Sequence, residues 1–234
     1  MINNYKRRKK ITYPRPSEKL AEFLGLFLGD GSFRNRYQIT ISYNHISEVP
    51  YSEYVEKLVL ELFGLKSARR IRKKYGSAEL VITSSNLVDF LRKTTAISEG
   101  TSKNKTILPE WLFRSKKCQI GFVRGFFDAE GCIYKHRYFS NNKRYAYIKI
   151  AITNYCAKLL ATLSQCFNNL KIHYRNYNNR IHIYSQEDVR QFLNLIGTNN
   201  TKKLSRLAVF VTDRRGTQAG LRGGLAKPVV GSNP

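Results

Sequence analysis

The chain has 234 residues, 42% of them hydrophobic, enough for one large domain or two small ones with a core of their own. Its 41 Lys and Arg against 16 Asp and Glu leave a formal charge of +25, an excess whose self-repulsion calls for a polyanionic partner, and nucleic acid is the first candidate. With no apolar stretch long enough to span a bilayer, no signal peptide or lipidation motif, no P-loop and no dinucleotide fingerprint, neither a membrane protein nor a nucleotide-dependent enzyme finds support. A soluble intracellular protein of a prokaryotic cytoplasm or an organelle matrix is expected.

Residues 1–16 read as a basic tail whose Lys6-Arg7-Arg8-Lys9-Lys10 run suits phosphate contact better than base reading. A first unit spans 17–98. Ser17 is placed to cap a helix in which Leu20, Phe23, Leu24, Phe27 and Leu28 share an apolar face. Ala21, Gly25 and Gly29 form a second stripe of small residues. Glycine inside a helix costs up to about 1 kcal/mol relative to alanine, so the stripe needs a packing reason, which close approach of another helix supplies. The helix ends in Asp30-Gly31: the glycine suits a left-handed cap, while the acid faces the negative end of the helix dipole at a cost of roughly 0.3–1 kcal/mol. There follow a strand over Tyr37 to Ser42, a helix from about Tyr51 to Phe63 stopped by Gly64, a basic hairpin from Arg69 to Thr83 turning at Gly76-Ser77, and a short helix near Leu87 to Leu91.

After a linker over 99–116, the pattern begins again in a second unit over 117–215. Ile120, Val123, Phe126 and Phe127 repeat the apolar face, Gly121, Gly125 and Ala129 the small stripe, and Glu130-Gly131 the ending. A strand around Tyr145 to Thr153, a helix around Ala157 to Phe167, a hairpin from Ile172 to Tyr184 turning at Asn178-Asn179, and a helix from Val189 to Ile196 introduced by Ser185 and Asp188 complete it. Residues 216–234, rich in glycine, read as a disordered tail. The fold class is therefore α+β: two pseudo-symmetric αββαββα repeats related by a shift of about one hundred residues.

If the two duplicated helices pack in parallel along their small stripes, Asp30 and Glu130 meet at one end, where like charges raise a pKa or recruit cations. The strands alternate with period two. Gln38, Thr40 and Ser42 oppose Ile39 and Ile41; Arg70, Arg72 and Lys74 oppose Ile71, Leu80 and Ile82; Tyr147 and Lys149 oppose Ile148 and Ile150; Arg180, His182 and Tyr184 oppose Ile181 and Ile183. With Arg34, Arg36, Lys135 and Arg175, the polar members are candidate DNA contacts, since Arg and Lys pair with guanine edges, Gln and Asn with adenine, and a two-stranded ribbon fits the major groove. Cys118, Cys132, Cys156 and Cys166 read as buried small hydrophobes, and His45, His136, His173 and His182 are too scattered for a zinc or histidine-metal motif.

A helix ending in a small residue, an acid and a glycine, present twice about a hundred residues apart, resembles the motif of the LAGLIDADG homing endonucleases. Its nine-letter pattern falls on Phe23 through Gly31 and Val123 through Gly131, and the likeness covers the chain from about Ser17 to Phe210. Leu28 and Glu130 stand where the family often has Asp. The resemblance implies motif helices packed at the interface between the repeats and two antiparallel sheets forming a saddle over double-stranded DNA. It also implies a monomer, encoded within an intron, that hydrolyses one phosphodiester in each strand and leaves cohesive 3′ ends. Asp30 and Glu130 would bind two or three Mg2+ or Mn2+ ions shared with DNA phosphates. Tyr43 and Asn154 would be polar, water-positioning residues. Lys103 and Lys202 would line the cleavage pocket, with Lys105 and Lys203 close enough that the assignment could shift. Two further readings sit on the same scaffold: a maturase whose partner is host intron RNA, and a non-cleaving DNA-binding regulator, which would tolerate neutral residues at positions 30 and 130. An intein origin finds no splicing-type termini to support it.

Overall fold

The computed structural model describes residues 9–72, 76–97 and 103–212. The first repeat runs α1 (Glu18–Asp30), β1 (Gly31–Asn35), β2 (Gln38–Asn44), α2 (Val49–Phe63), β3 (Ala68–Arg72), β4 (Ser77–Thr83) and α3 (Ser85–Thr95). A 3-10 turn (Lys103–Lys105) and α4 (Glu110–Arg114) lead to the second: α5 (Lys116–Glu130), β5 (Gly131–Ser140), β6 (Lys143–Thr153), α6 (Ala157–Asn169), β7 (Arg175–Tyr177), β8 (Arg180–Ile183) and α7 (Gln186–Leu195), then α8 (Thr201–Thr212). The two sheets are antiparallel, four-stranded and identically ordered, β1-β2-β4-β3 and β5-β6-β8-β7. The expected linker is thus structured where it is described, and α4 and α8 were not foreseen. Lys74, the Lys6-Arg7-Arg8 part of the basic run and residues 216–234 lie outside the described residues.

Serines start four of these helices: Ser17, Ser84, Ser115 and Ser185 accept backbone N–H bonds from Leu20, Leu87, Cys118 and Asp188 at 3.2, 3.3, 3.4 and 3.0 Å. Gly64 stops α2 in the left-handed region at φ +67°.

Gly31 and Gly131 behave differently from that expectation, at φ −86° and −85°, extended backbone that runs directly into β1 and β5. Their requirement is steric: a Cβ on either would overlap the Phe27 or the Phe127 ring folded back over the helix end. The motif glycine therefore admits a core phenylalanine rather than a reversal of the chain.

α1 and α5 pack along the small stripes. A methyl added at Gly25 would overlap the Phe122 carbonyl oxygen and lie 2.8 Å from the Phe126 nitrogen, and one added at Gly125 would overlap the Glu22 carbonyl oxygen and lie 2.9 Å from the Leu26 nitrogen. Backbone meets backbone, which only a residue without a side chain allows. Around this seam Leu20, Phe23, Leu24, Phe27, Phe122, Val123, Phe126 and Phe127 are all buried, each contributing roughly 1.5–3 kcal/mol by burial. Ile39, Ile41, Ala78, Leu80 and Ile82 close the core beneath the first sheet, and Ile148, Ile150, Ile152, Ile181 and Ile183 beneath the second.

Ile71 departs from its expected inward place. It pairs with Ala78 and so has the core-facing parity, but β3 is an edge strand beyond the helical cover, and Ile71 is 51% exposed. Cys118, Cys156 and Cys166 are buried, whereas Cys132 is half-buried, and all four are free thiols. Among the described residues no helix is long and apolar enough to cross a membrane.

Candidate active site and nucleic-acid interface

Because α1 and α5 run side by side, their last residues arrive together. The Glu130 side chain reaches the backbone of α1, its Cγ 3.2 Å from where a Cβ on Gly29 would stand. Burial pushes the Asp30 carboxyl up to about 7, and Glu130 is the largest of the charges acting on it. Glu130 is raised as well, mainly by burial, with Lys103 and a hydrogen bond from Asn154 opposing the rise. That bond, Asn154 Nδ2 to Glu130 Oε1 at 3.0 Å, fixes one carboxylate. Among the described residues no hydrogen bond or ion pair is made by the Asp30 side chain, although the chain carries 41 Lys and Arg.

Two carboxylates that no arginine among the described residues neutralises are hard oxygen donors of the kind Mg2+ or Mn2+ prefers. No group of three or more His, Cys, Asp or Glu among the described residues could hold a metal alone. The pair therefore fits ions whose remaining ligands come from phosphate and water.

Two lysines flank the acids. Lys103 Nζ donates to the Leu28 and Gly29 carbonyls at 2.7 and 2.8 Å, capping the end of α1. Lys203 Nζ donates to the Asp128 carbonyl at 2.7 Å and lies 5.6 Å from the centre of the Phe127 ring, capping α5 in the same manner. Burial lowers the pKa of both, with the carboxylates opposing that fall. The symmetric partner of Lys103 is thus Lys203 and not Lys202, whose ammonium group turns to Glu48 at 3.7 Å. The reason is helical: Lys203 sits one residue further along α8, a rotation that carries it from the surface to 6% exposure. Lys105 is exposed.

Tyr43 also departs from its expected role. Its place on β2 corresponds to that of Asn154 after β6, yet the ring is buried with Ile39 and Ile41 in the core, and it makes no hydrogen bond to Asp30.

The largest feature missed from sequence is a buried polar network between the repeats. Asp128 is 1% exposed and its carboxylate accepts from the Thr198 hydroxyl and, at 2.9 Å, from the Asn199 N–H; burial raises it to about 7. Asn199 Nδ2 donates to Glu22 at 2.7 Å, Asn200 Nδ2 to Glu48 at 3.2 Å, and Tyr54 to Glu22 at 2.6 Å. Arg124 bridges Glu18 at 2.9 Å and Glu22 at 3.1 Å. The network ties the segment leading into α8 to α1 and α2, and so holds Lys203 in place. Charged residues inside otherwise apolar motif helices, Glu22, Arg124 and Asp128, were its sequence signal, since a buried charge survives only when paired.

On the outer faces, Arg34, Arg70 and Arg72 converge on Glu79. Arg36 is exposed in the turn between β1 and β2, and Gln38 donates to Thr83 at 3.1 Å. Thr40 has the outward parity but is 4% exposed, its hydroxyl bonded to Ser32 at 2.8 Å because β2 is an inner strand, so it presents little surface on the face where a DNA contact was expected. Lys135, a candidate DNA contact, pairs with Ile148, which puts it on the core-facing parity with Ile133 and on the opposite face from Lys149. Tyr147 stacks near Tyr138 and Tyr145, and Lys149 lies over the Tyr184 ring at 4.9 Å. The half-buried His182 stacks on Tyr184 at 5.1 Å, while Arg175 and Arg180 are exposed.

The LAGLIDADG-like domain family matches residues 17–95 and 117–197, over half of the chain. A curated relative, the replication factor C small subunit of Methanocaldococcus jannaschii, is 28% identical over 208 residues, which are 84% of this chain and 10% of that protein. The chain thus spans about a tenth of that relative's length. Among solved structures it is similar to the homing endonuclease I-DmoI in complex with DNA and Ca (19% identity, 82% of this chain and 97% of that one, TM-score 0.54). It is also similar to a point mutant of I-SmaMI (10%, 83% and 92%, TM-score 0.56) and to full-length WhiA from Thermatoga maritima (17%, 85% and 61%, TM-score 0.53). At these identities the structural likeness is one of fold, whereas the family match falls on both repeats and on both acid-glycine helix ends. The chain belongs to the LAGLIDADG family, in the form that carries both repeats on one polypeptide.

Proposed function

We propose that this chain is a monomeric, site-specific endonuclease that lays its two sheets on a long double-stranded DNA target and hydrolyses one phosphodiester in each strand, leaving cohesive 3′ ends. The observation that carries the reading is the meeting of Asp30 and Glu130 at the common foot of α1 and α5, with no arginine among the described residues paired to either in a chain of charge +25. Mg2+ or Mn2+ held by these two carboxylates would neutralise the scissile phosphates, lower the pKa of an attacking water and stabilise the leaving oxygens. The side chains supply the rest. Asn154 holds Glu130 in one orientation, Lys103 and Lys203 bring two ammonium groups beside the acids, and the outer faces carry the arginines and tyrosines that would meet the groove. The likeness to an endonuclease solved with DNA and Ca supports both a duplex partner and divalent ions.

The test is incubation with a library of randomised duplexes and Mg2+, followed by sequencing of the ends. A single long site cut in both strands is expected, and Asp30→Ala or Glu130→Ala should abolish cutting while duplex binding is largely kept. Binding that persists while Mg2+, Mn2+ and Ca2+ all fail to give cleavage would overturn this reading in favour of a non-cleaving regulator or an RNA-binding maturase.

A further inference from the structure

Glu79 sits where a DNA-binding surface should not hold an acid. It lies on β4, an inner strand, between Ala78 and Leu80, which both face the core, so its side chain has the outward parity. Its register partners are Ser42 on β2 and Arg70 on β3. One carboxylate there gathers three guanidinium groups: Arg72 Nη2 at 2.9 Å from Oε1, Arg70 Nη1 at 3.3 Å and Arg34 Nη1 at 3.8 Å from Oε2. It is the least exposed member of the cluster, at 15% against 39–49% for the arginines. Three arginines drawn from both edge strands thus converge on a single acid at the middle of the sheet.

Were phosphate attraction the only purpose of this face, Glu79 would work against it, because it repels phosphate and takes up the charge of its neighbours. What it supplies is order. Arginine is a rigid fork that pairs in bidentate fashion with guanine O6 and N7, and a fork held in place before binding loses less freedom on contact. A carboxylate has about four acceptor sites, so the two hydrogen bonds from Arg70 and Arg72, with Arg34 held only as an ion pair, leave room for more, including the kind of bond a cytosine N4 amino group makes.

We propose that Glu79 is a specificity-determining residue, which presets Arg34, Arg70 and Arg72 to read G·C pairs in the major groove and lowers affinity for DNA of any other sequence. The inference rests on the duplex-binding reading given under Proposed function. A chain that binds no duplex at all would sink that reading, whereas a chain that binds but ignores Glu79 would sink only this one.

The experiment compares the full-length chain with its Glu79→Gln and Glu79→Asp variants, without divalent metal. Equilibrium binding is measured over a salt series to a random-sequence duplex and to the duplex selected by cleavage. Glu79→Gln should bind the random duplex about five- to tenfold tighter, with a log–log salt slope steeper by about 0.9 for each arginine released to phosphate. Its preference for G·C pairs beneath the first sheet should fall by about tenfold or more, and adding Arg72→Gln should remove part of the gained affinity. Glu79→Asp keeps the charge but shortens the reach, so random-duplex binding should stay weak while discrimination falls. Unchanged discrimination in both variants, or a proportionate loss of affinity for both duplexes, would overturn the proposal. Should Glu79→Gln melt early, the Asp variant decides alone.

Discussion

The two repeats share one topology and present opposite chemistries to the outside. The first sheet carries Arg34, Arg70 and Arg72 drawn together by Glu79; the second carries Tyr138 stacked on Tyr145 and Tyr147, at 5.1 and 5.8 Å, with Lys149 over Tyr184. Their hairpins differ as well. β5 and β6 run for 10 and 11 residues where β1 and β2 run for 5 and 7, whereas β7 and β8, of 3 and 4, are shorter than β3 and β4, of 5 and 7. What stayed in register is the seam: glycine against backbone, phenylalanine over the motif glycine, lysine over the helix end. The two halves thus keep in common what packing demands and differ on their outer faces, so under the proposed function they would read different sequences on either side of the paired acids.

The seam is where the largest effect is expected, and it should be the same from either half. Gly25→Leu and Gly125→Leu each drive a side chain into the backbone of the opposite helix, which overpacks a site with no side chain to yield. A loss of more than about 3 kcal/mol is expected, a fall in Tm of roughly 6–12 °C. A large loss at one glycine and a small one at the other would break the symmetry claimed for the seam.

The acids should respond unequally. Among the described residues Asp30 has no hydrogen-bond partner, and its carboxyl is raised from 3.8 to about 7 by burial and by Glu130; Glu130 is relieved by Lys103 and Asn154. A carboxyl raised on folding binds its proton more tightly in the native state. Its contribution therefore favours folding below pH 4 and is lost as pH rises from about 4 through about 7. Asp30→Asn should consequently stabilise the metal-free protein near neutral pH, by on the order of 1–4 kcal/mol and more than Glu130→Gln does, and should flatten the pH dependence of Tm over that window. Mg2+ should stabilise the parent and not the variant, since an ion bound only by the folded state shifts the equilibrium toward it. A variant that melts with the parent's pH profile would show that Asp30 is not strained.

Much of this was legible in the residues because packing leaves periodic traces. The shift of one hundred residues, the small stripes and the alternating strands placed α1, α5 and both sheets and brought Asp30 to Glu130. Tertiary context set what the alternation could not. Ile71 has core parity on an uncovered edge, Thr40 has outward parity but is closed over by Ser32, and Lys135 shares its parity with Ile133. Lys203 could not be told from Lys202 by spacing, because α8 itself was not foreseen and its orientation depends on the Asn199 and Asn200 contacts across the repeats.

That distinction makes the next test. Lys203→Met should lower the cleavage rate about 100-fold and Lys103→Met by a similar factor, as expected when a charged donor is removed from a site of developing negative charge. Lys202→Met should change it little. Equal losses at positions 202 and 203 would mean that surface charge and not the symmetric pair matters.

The smallest effect is expected at the far end of the second hairpin. β5 extends about five residues beyond the length of β1, roughly 16 Å at the rise of a strand. There Tyr138 and Phe139 are 43% and 65% exposed beside Lys143 and Arg144. An arm of that reach could cover about five base steps that the first repeat leaves untouched. Tyr138→Ala should weaken target binding by about tenfold or less, because apolar contact with thymine methyl groups, unlike bidentate hydrogen bonding, discriminates weakly. The loss should be confined to one flank. Hydroxyl-radical footprints should retract only on the side of the second repeat, and base changes there should cease to matter in the variant while changes on the other flank keep their full effect. A footprint that shrinks evenly from both ends would mean that the long hairpin serves the stability of the sheet and not the length of the site.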